Sequence, residues 1–168
     1  MHIGAMKLFA FAVSGAILLS LSACHAADAT FPLGLEKLHW DMTRAQVSGL
    51  FPLQAVTPPP SSAPLPPGET VLKSDAYAWQ SCRLEGLWRF SATGLHAINL
   101  TDAQGSWACA EALLDGLRAR YGEGSMTTDR HGLDTYEWKG AAIDVRFFWM
   151  GELGSFVKFY KLSDEAKP

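Results

Sequence analysis

Cys82-Arg83-Leu84-Glu85-Gly86-Leu87-Trp88-Arg89-Phe90 is the stretch on which the fold turns. Cys82, Leu84, Gly86, Trp88 and Phe90 take one phase of an alternation, and Arg83, Glu85, Leu87 and Arg89 take the other. Successive side chains of a strand point to opposite faces, so this pattern predicts a strand with one buried and one wet face. Thr93-Gly94 reads as a turn, and Leu95 to Thr101 follows as a second strand with Ile98 and Leu100 on one side. Upstream, Val71 to Trp79 predicts a strand preceding both.

Beyond this group Ser106 can cap a helix. Trp107, Ala110, Leu113, Leu114, Leu117 and Tyr121 recur at helical spacing and predict one apolar stripe, ended by Gly122. Gly122 to Gly132 is polar and reads as a loop. Tyr136 and Trp138 then mark a strand, and Lys139-Gly140 marks a tight turn. Ile143, Val145, Phe147 and Trp149 alternate with Asp144, Arg146 and Phe148, and Phe156 to Leu162 predicts the last strand. Towards the N-terminus, Thr43 and Gln46 have capping-box spacing, with Met42 and Val47 at the staple positions, so Arg44 to Phe51 predicts a short helix ended by Pro52.

The order is thus helix, long loop and three strands, twice. From cap to Trp is 36 residues in the first half (Thr43 to Trp79) and 32 in the second (Ser106 to Trp138). The expected fold is α+β: an antiparallel sheet of about six strands with two helices on one face, arranged as a tandem helix-plus-three-strand repeat. The single domain is expected over 39–162, with a Pro-rich loop at 52–68 that holds seven of the nine prolines, a tether at 24–38 and a polar tail at 163–168.

Residues 1–23 follow the pattern of an export signal. Lys7 supplies the positive charge, Leu8 to Leu21 form a mostly apolar stretch, and small residues follow. That stretch is shorter than the 20 or so apolar residues of a spanning helix. Leu21-Ser22-Ala23-Cys24 resembles the bacterial lipobox. The resemblance implies diacylglycerol on the Cys24 thiol, cleavage before it and acylation of the new amine. It implies a lipoprotein held to a membrane by acyl chains, facing the periplasm. His25 rather than Asp follows the cysteine, which by analogy favours the outer membrane. The alternative is ordinary secretion with cleavage after Ala26 or Ala27.

Cys82 and Cys109 remain. Two cysteines in an exported protein predict a disulfide, with a catalytic thiol as the alternative.

The formal net charge is −3, and Lys7 is the one charged residue of 1–23, so residues 24–168 carry −4. No basic run exists, which argues against nucleic acid as a partner. His39, His96 and His131 show no metal-ligand spacing, and there is no HExxH, CxxC pair, nucleophile elbow or phosphate-cradling glycine loop. No cofactor or metal is expected. Asp41, Glu85, Asp102, Glu137 and Asp144 are scattered carboxylates, two of which could serve a glycan hydrolase if folding paired them. Of the six tryptophans, Trp107 and Trp149 are expected in the core. Leu87 and Phe148 are apolar where alternation predicts solvent, so they form the candidate protein-binding patch.

Trp40, Met42, Thr43, Gln46 and Val47 together resemble the helix-start motif of small envelope lipoproteins of the SmpA/OmlA class. Asp41 stands where those have Gly. That class is similar in fold to the β-lactamase inhibitor proteins, in which a helix-and-sheet unit occurs twice. The resemblance implies a non-enzymatic binding module of the cell envelope, an assembly factor or an inhibitor or immunity-type protein. The alternatives are a hydrolase of cell-wall material and a structural lipoprotein with no specific ligand.

Overall fold

A computed structural model describes residues 31–56, 65–102 and 104–162. Cys24, residues 57–64 of the Pro-rich loop and the tail at 163–168 lie outside the described residues.

The described residues form one open, eight-stranded antiparallel sheet with two helices, one of them substantial. In chain order the elements are α1 (Arg44–Ser48), β1 (Leu53–Ala55), β2 (Thr70–Trp79), β3 (Cys82–Ser91), β4 (Gly94–Asp102), α2 (Trp107–Tyr121), β5 (Ser125–Thr128), β6 (Asp134–Lys139), β7 (Ile143–Trp149), a 3-10 turn (Gly151–Leu153) and β8 (Ser155–Lys161). The strand order is β1-β2-β3-β4-β8-β7-β6-β5. A helix followed by four strands therefore occurs twice, and the last strands of the two halves, β4 and β8, pair at the centre. The expected six strands become eight. The additions, β1 and β5, are the two edges, and both fall in stretches read from sequence as loops. Edge strands this short and this exposed carry no alternation to read.

β3 follows its alternation: Cys82, Leu84, Gly86, Trp88 and Phe90 are buried, and Arg83, Glu85 and Leu87 are exposed. Across the sheet the same face presents Ile98 and Leu100 of β4, Val157 and Phe159 of β8, and Val145 and Phe147 of β7. Burying each such side chain contributes about 1.5–3 kcal/mol.

Three pieces cover that face. α1 begins at Thr43 with the capping box, Thr43 accepting from the Gln46 amide while the Gln46 side chain accepts from the Thr43 amide. Phe51, just beyond it, lays its ring 4.9 Å from Trp88. α2 buries Cys109, Ala110, Leu113 and Leu117. The Cys82–Cys109 disulfide ties its first turn to the start of β3, with 4.9 Å between Cα atoms.

The third piece is 31–42. The expected tether at 24–38 includes Phe31, Leu33, Leu35 and Leu38, and all four are buried core. Successive turns, Leu35 N to Pro32 O and Leu38 N to Leu35 O, fold the segment, and Phe31 packs edge-on against both Trp40 and Phe159. Its far end is pinned to β4 by Asp41 N to Leu95 O and Leu95 N to Met42 O. Gly94 permits this. Its φ is +123°, and a Cβ there would lie 2.4 Å from the Asp41 carbonyl oxygen.

Candidate functional site

α2 has two flanks. One packs towards β2 and β3, where the disulfide lies and where Gly116 lets Leu33 and Trp79 approach closely. The other faces β6 and β7 and does not close on them. A cleft of about 680 Å³ remains there, within the usual range for ligand sites. Residues i, i+4, i+7 and i+11 lie on one side of a helix, so Trp107, Glu111, Leu114 and Arg118 share the cleft wall. Tyr136, Phe147 and Trp149 face them from the sheet, and Gly132, Asp134 and Gly151 line the cleft at the end of the β6–β7 pair.

Trp107 was expected in the core. It is 55% exposed, although its ring meets Trp149 edge to face, 4.6 Å between centroids at 66°. It opens α2 on the cleft flank, while the buried stripe runs through Cys109, Ala110, Leu113 and Leu117. Trp149, also expected in the core, is half-buried for the same reason.

The cleft is acidic. Glu111, Asp115 and Asp134 line it, all exposed, and Glu152 follows Gly151 at its rim. Thr128 Oγ1 donates to Asp134 at 2.6 Å. Arg118 is the one Lys or Arg among the lining residues. Its Nε lies 3.4 Å from a Glu123 carboxylate oxygen, and its guanidinium sits 5.3 Å from the Tyr136 ring centroid. Asp102 lies in the same cross-strand row as Ser155 and Trp149, two strands from the cleft. It is fully buried, and its Oδ2 has no hydrogen-bond partner among the described residues.

The candidate pair Leu87 and Phe148 lies on the other face of the sheet, and the fold does not bring the two together. Between β3 and β7 run β4 and β8, with Asn99 and Lys158 in the row that joins Leu87 to Arg146. Leu87 is 38% exposed. Phe148 is half-buried, stacked on Phe156 at 5.1 Å with the Lys158 ammonium over its ring.

The scattered histidines stay apart. His96 Nε2 lies 3.3 Å from Glu69, which also pairs with Arg89. His39 Nδ1 lies 3.0 Å from the Trp40 carbonyl oxygen. Arg130 Nε donates to His131 Nε2 at the surface. Of the carboxylates named from sequence, Asp144 and Glu137 share Arg146, and Asp41 pairs with Lys161 at 2.6 Å. Hydrogen bonding to Asp144 raises the Arg146 guanidinium further above its ordinary value. None of these lies in the cleft. Its aromatic residues were read from sequence as packing residues, and its polar ones escaped because Glu111 and Arg118 look like an ordinary solvated helix face until the sheet opposite is in place.

No protein-family model matches the chain, and no curated protein or solved structure matches it.

Proposed function

We propose that this chain is a lipid-anchored, non-catalytic binding protein of the bacterial cell envelope, an assembly factor or an inhibitor or immunity-type protein, and that it binds through the α2–β6–β7 cleft. The observation that carries the reading is the open cleft itself: a partly exposed tryptophan pair in a concave site between α2 and the sheet. An exposed indole in a concave site is a frequent anchor for a partner. The Cys82–Cys109 disulfide agrees with an oxidising compartment, and the lipobox at Cys24 supplies the anchor. Asp41 adds support for the SmpA/OmlA resemblance. It stands where that motif has Gly, and its φ is +66°, a region that Gly enters freely and Asp more readily than most residues.

Two experiments test this reading. Crosslinking and pull-down from solubilised membranes should capture a protein with the wild type and lose it with Trp107→Ala. Repeated failure to capture any partner sinks the binding reading. Cys24→Ala should move the protein from the membrane to the soluble fraction, and unchanged membrane retention sinks the anchor.

One observation favours a hydrolase as the second reading: Glu111, Asp115 and Asp134 all line the cleft. Peptidoglycan turnover that Asp115→Asn abolishes would establish it over the first.

A further inference from the structure

The cleft's chemistry narrows what can enter it. Resting on the reading of the cleft as a binding site, we infer that its ligand is a basic peptide segment, whose Lys or Arg side chain lies against the exposed Trp107 indole and the carboxylates that line the cleft beside it.

Charge gives the first argument. Three lining carboxylates, Glu111, Asp115 and Asp134, face one lining cation, Arg118, and Glu123 stands against that cation from outside the cleft. An anionic ligand would meet this field unfavourably. A cation gains from every carboxylate, the more so in a concave site whose apolar walls focus the field.

The walls give the second. Rings of Trp and Tyr attract cations over their faces. The molecule already makes this contact in the cleft, where Arg118 lies over Tyr136, and again on the opposite face of the sheet, where Lys158 lies over Phe148. Trp107 is the indole whose exposure leaves it open to a cation from outside. A sugar stacks best on a flat platform, whereas Trp107 and Trp149 meet at 66° and form a corner.

Size and rim give the third. A volume of about 680 Å³ holds several side chains rather than one small ion. Leu153, 68% exposed, lies in the 3-10 turn whose first residue, Gly151, lines the cleft, so apolar surface is close by for the neighbours of a basic residue in a peptide. That turn packs closely on Gly105, where a Cβ would sit 2.8 Å from the Glu152 carbonyl oxygen.

Calorimetric titration of the detergent-solubilised lipoprotein tests the inference. The probes are a hexapeptide alternating Lys and Ala, its counterpart with Glu for Lys, and chitohexaose as an uncharged glycan. The Lys peptide should bind at least about tenfold more tightly than either alternative at low salt. Trp107→Ala should weaken it about tenfold, as loss of an aromatic anchor does. The double variant E111Q/D115N should weaken it by a similar factor, and added salt should reduce the wild-type affinity. Glu85→Gln, on the other face of the sheet, should leave it unchanged. Equal binding of the Glu peptide, tighter binding of chitohexaose, or an affinity indifferent to both cleft variants overturns the inference. The pull-down keeps the two claims apart. A partner lost with Trp107→Ala alongside an inert Lys peptide removes the basic-peptide assignment and leaves the binding reading standing. Failure of both experiments removes both.

Discussion

The two halves of the sheet share an element order and differ in how their inner faces are covered. Over β3 the face is sealed: Trp88 has no exposure, Leu35 and the disulfide-bonded turn of α2 are buried beside it, and the half-buried Phe51 packs on the Trp88 ring. Over β6 and β7 the face is left ajar. Trp149 is half-buried, Tyr136 is partly covered by the Arg118 guanidinium, and α2 stands off as the wall of a cleft. The first half is preceded by an extra layer, residues 31–42, which among the described residues has no counterpart before the second half and whose Phe31 reaches Phe159 of β8. Stability is thus concentrated where that plug and the disulfide lie, and an aromatic surface stays accessible where they do not. The experiments below press on this contrast, from the largest effect to the smallest.

The heaviest test is Leu35→Asp. Leu35 is completely buried within the plug, so the substitution places an unpaired carboxylate in the core. The expected loss exceeds about 4 kcal/mol, enough to abolish cooperative unfolding in a domain of ordinary stability. Circular dichroism against urea measures it. A variant that unfolds cooperatively near the wild-type midpoint would show that 31–42 is an appendage rather than a layer of the core.

Trp88→Ala comes next, with an expected loss of about 3–5 kcal/mol for a fully buried large side chain. Removing the disulfide with C82A/C109A follows, at about 3–4 kcal/mol for a loop of this length. Thermal unfolding should fall by about 10 °C for the disulfide variant, and reduction of the wild type should reproduce it. Reduction without any shift in the midpoint would remove the disulfide from the account of why the first half is the firmer one.

Most of the sealed half was legible in the residues. The alternation of Cys82 to Phe90 and the capping box at Thr43 and Gln46 each depend on neighbours close in sequence, and both appear as read. The plug was read as a tether. Phe31, Leu33 and Leu35 alternate, but Pro32 and Gly34 between them resemble linker, and Leu33 takes a left-handed φ of +67° that no strand rule anticipates. The open half was less legible. Trp107, Leu114 and Tyr121 keep helical spacing with the buried residues of α2, yet they lie along one flank, and a single helix cannot say which flank the sheet will leave uncovered. The cleft is a tertiary product of two elements that stop short of contact.

Tyr77 offers a test through pH. Its hydroxyl donates to the Leu33 carbonyl at 3.2 Å and so links β2 to the plug. Burial, with a smaller contribution from Glu36, pushes its phenol far above the ordinary value near 10. A group whose folded pKa is raised contributes stability that is complete below its unfolded pKa and lost as pH climbs towards the folded one. Stability should therefore hold up to about pH 10 and decline above it. Burial raises the Tyr121 phenol as well, so two groups share the decline. Tyr77→Phe should cost about 1 kcal/mol at neutral pH for the lost hydrogen bond. It should also flatten the alkaline decline, read from urea midpoints between pH 8 and pH 11. An identical decline in the variant would assign the alkaline sensitivity to Tyr121 and to other groups.

The smallest stability effect is expected from the tryptophan that matters most to the cleft. Trp107 and Trp88 carry the same side chain, but one is 55% exposed with its main ring contact to Trp149, and the other has none of its surface in water. The transfer free energy lost on truncation scales with the area that folding removed from water, so Trp107→Ala should cost about 1 kcal/mol or less where Trp88→Ala costs several. An edge-to-face ring contact adds about 0.5–1.5 kcal/mol at most, and solvent already weakens this one. Urea titrations of the two variants side by side measure the difference directly. Equal losses would mean that Trp107 braces α2 against β7, and the cleft would then be a packing defect of the second half. A small loss at Trp107 together with a lost partner would mean that the second half keeps its indole exposed at little cost to the fold, because the sealed half already supplies the stability.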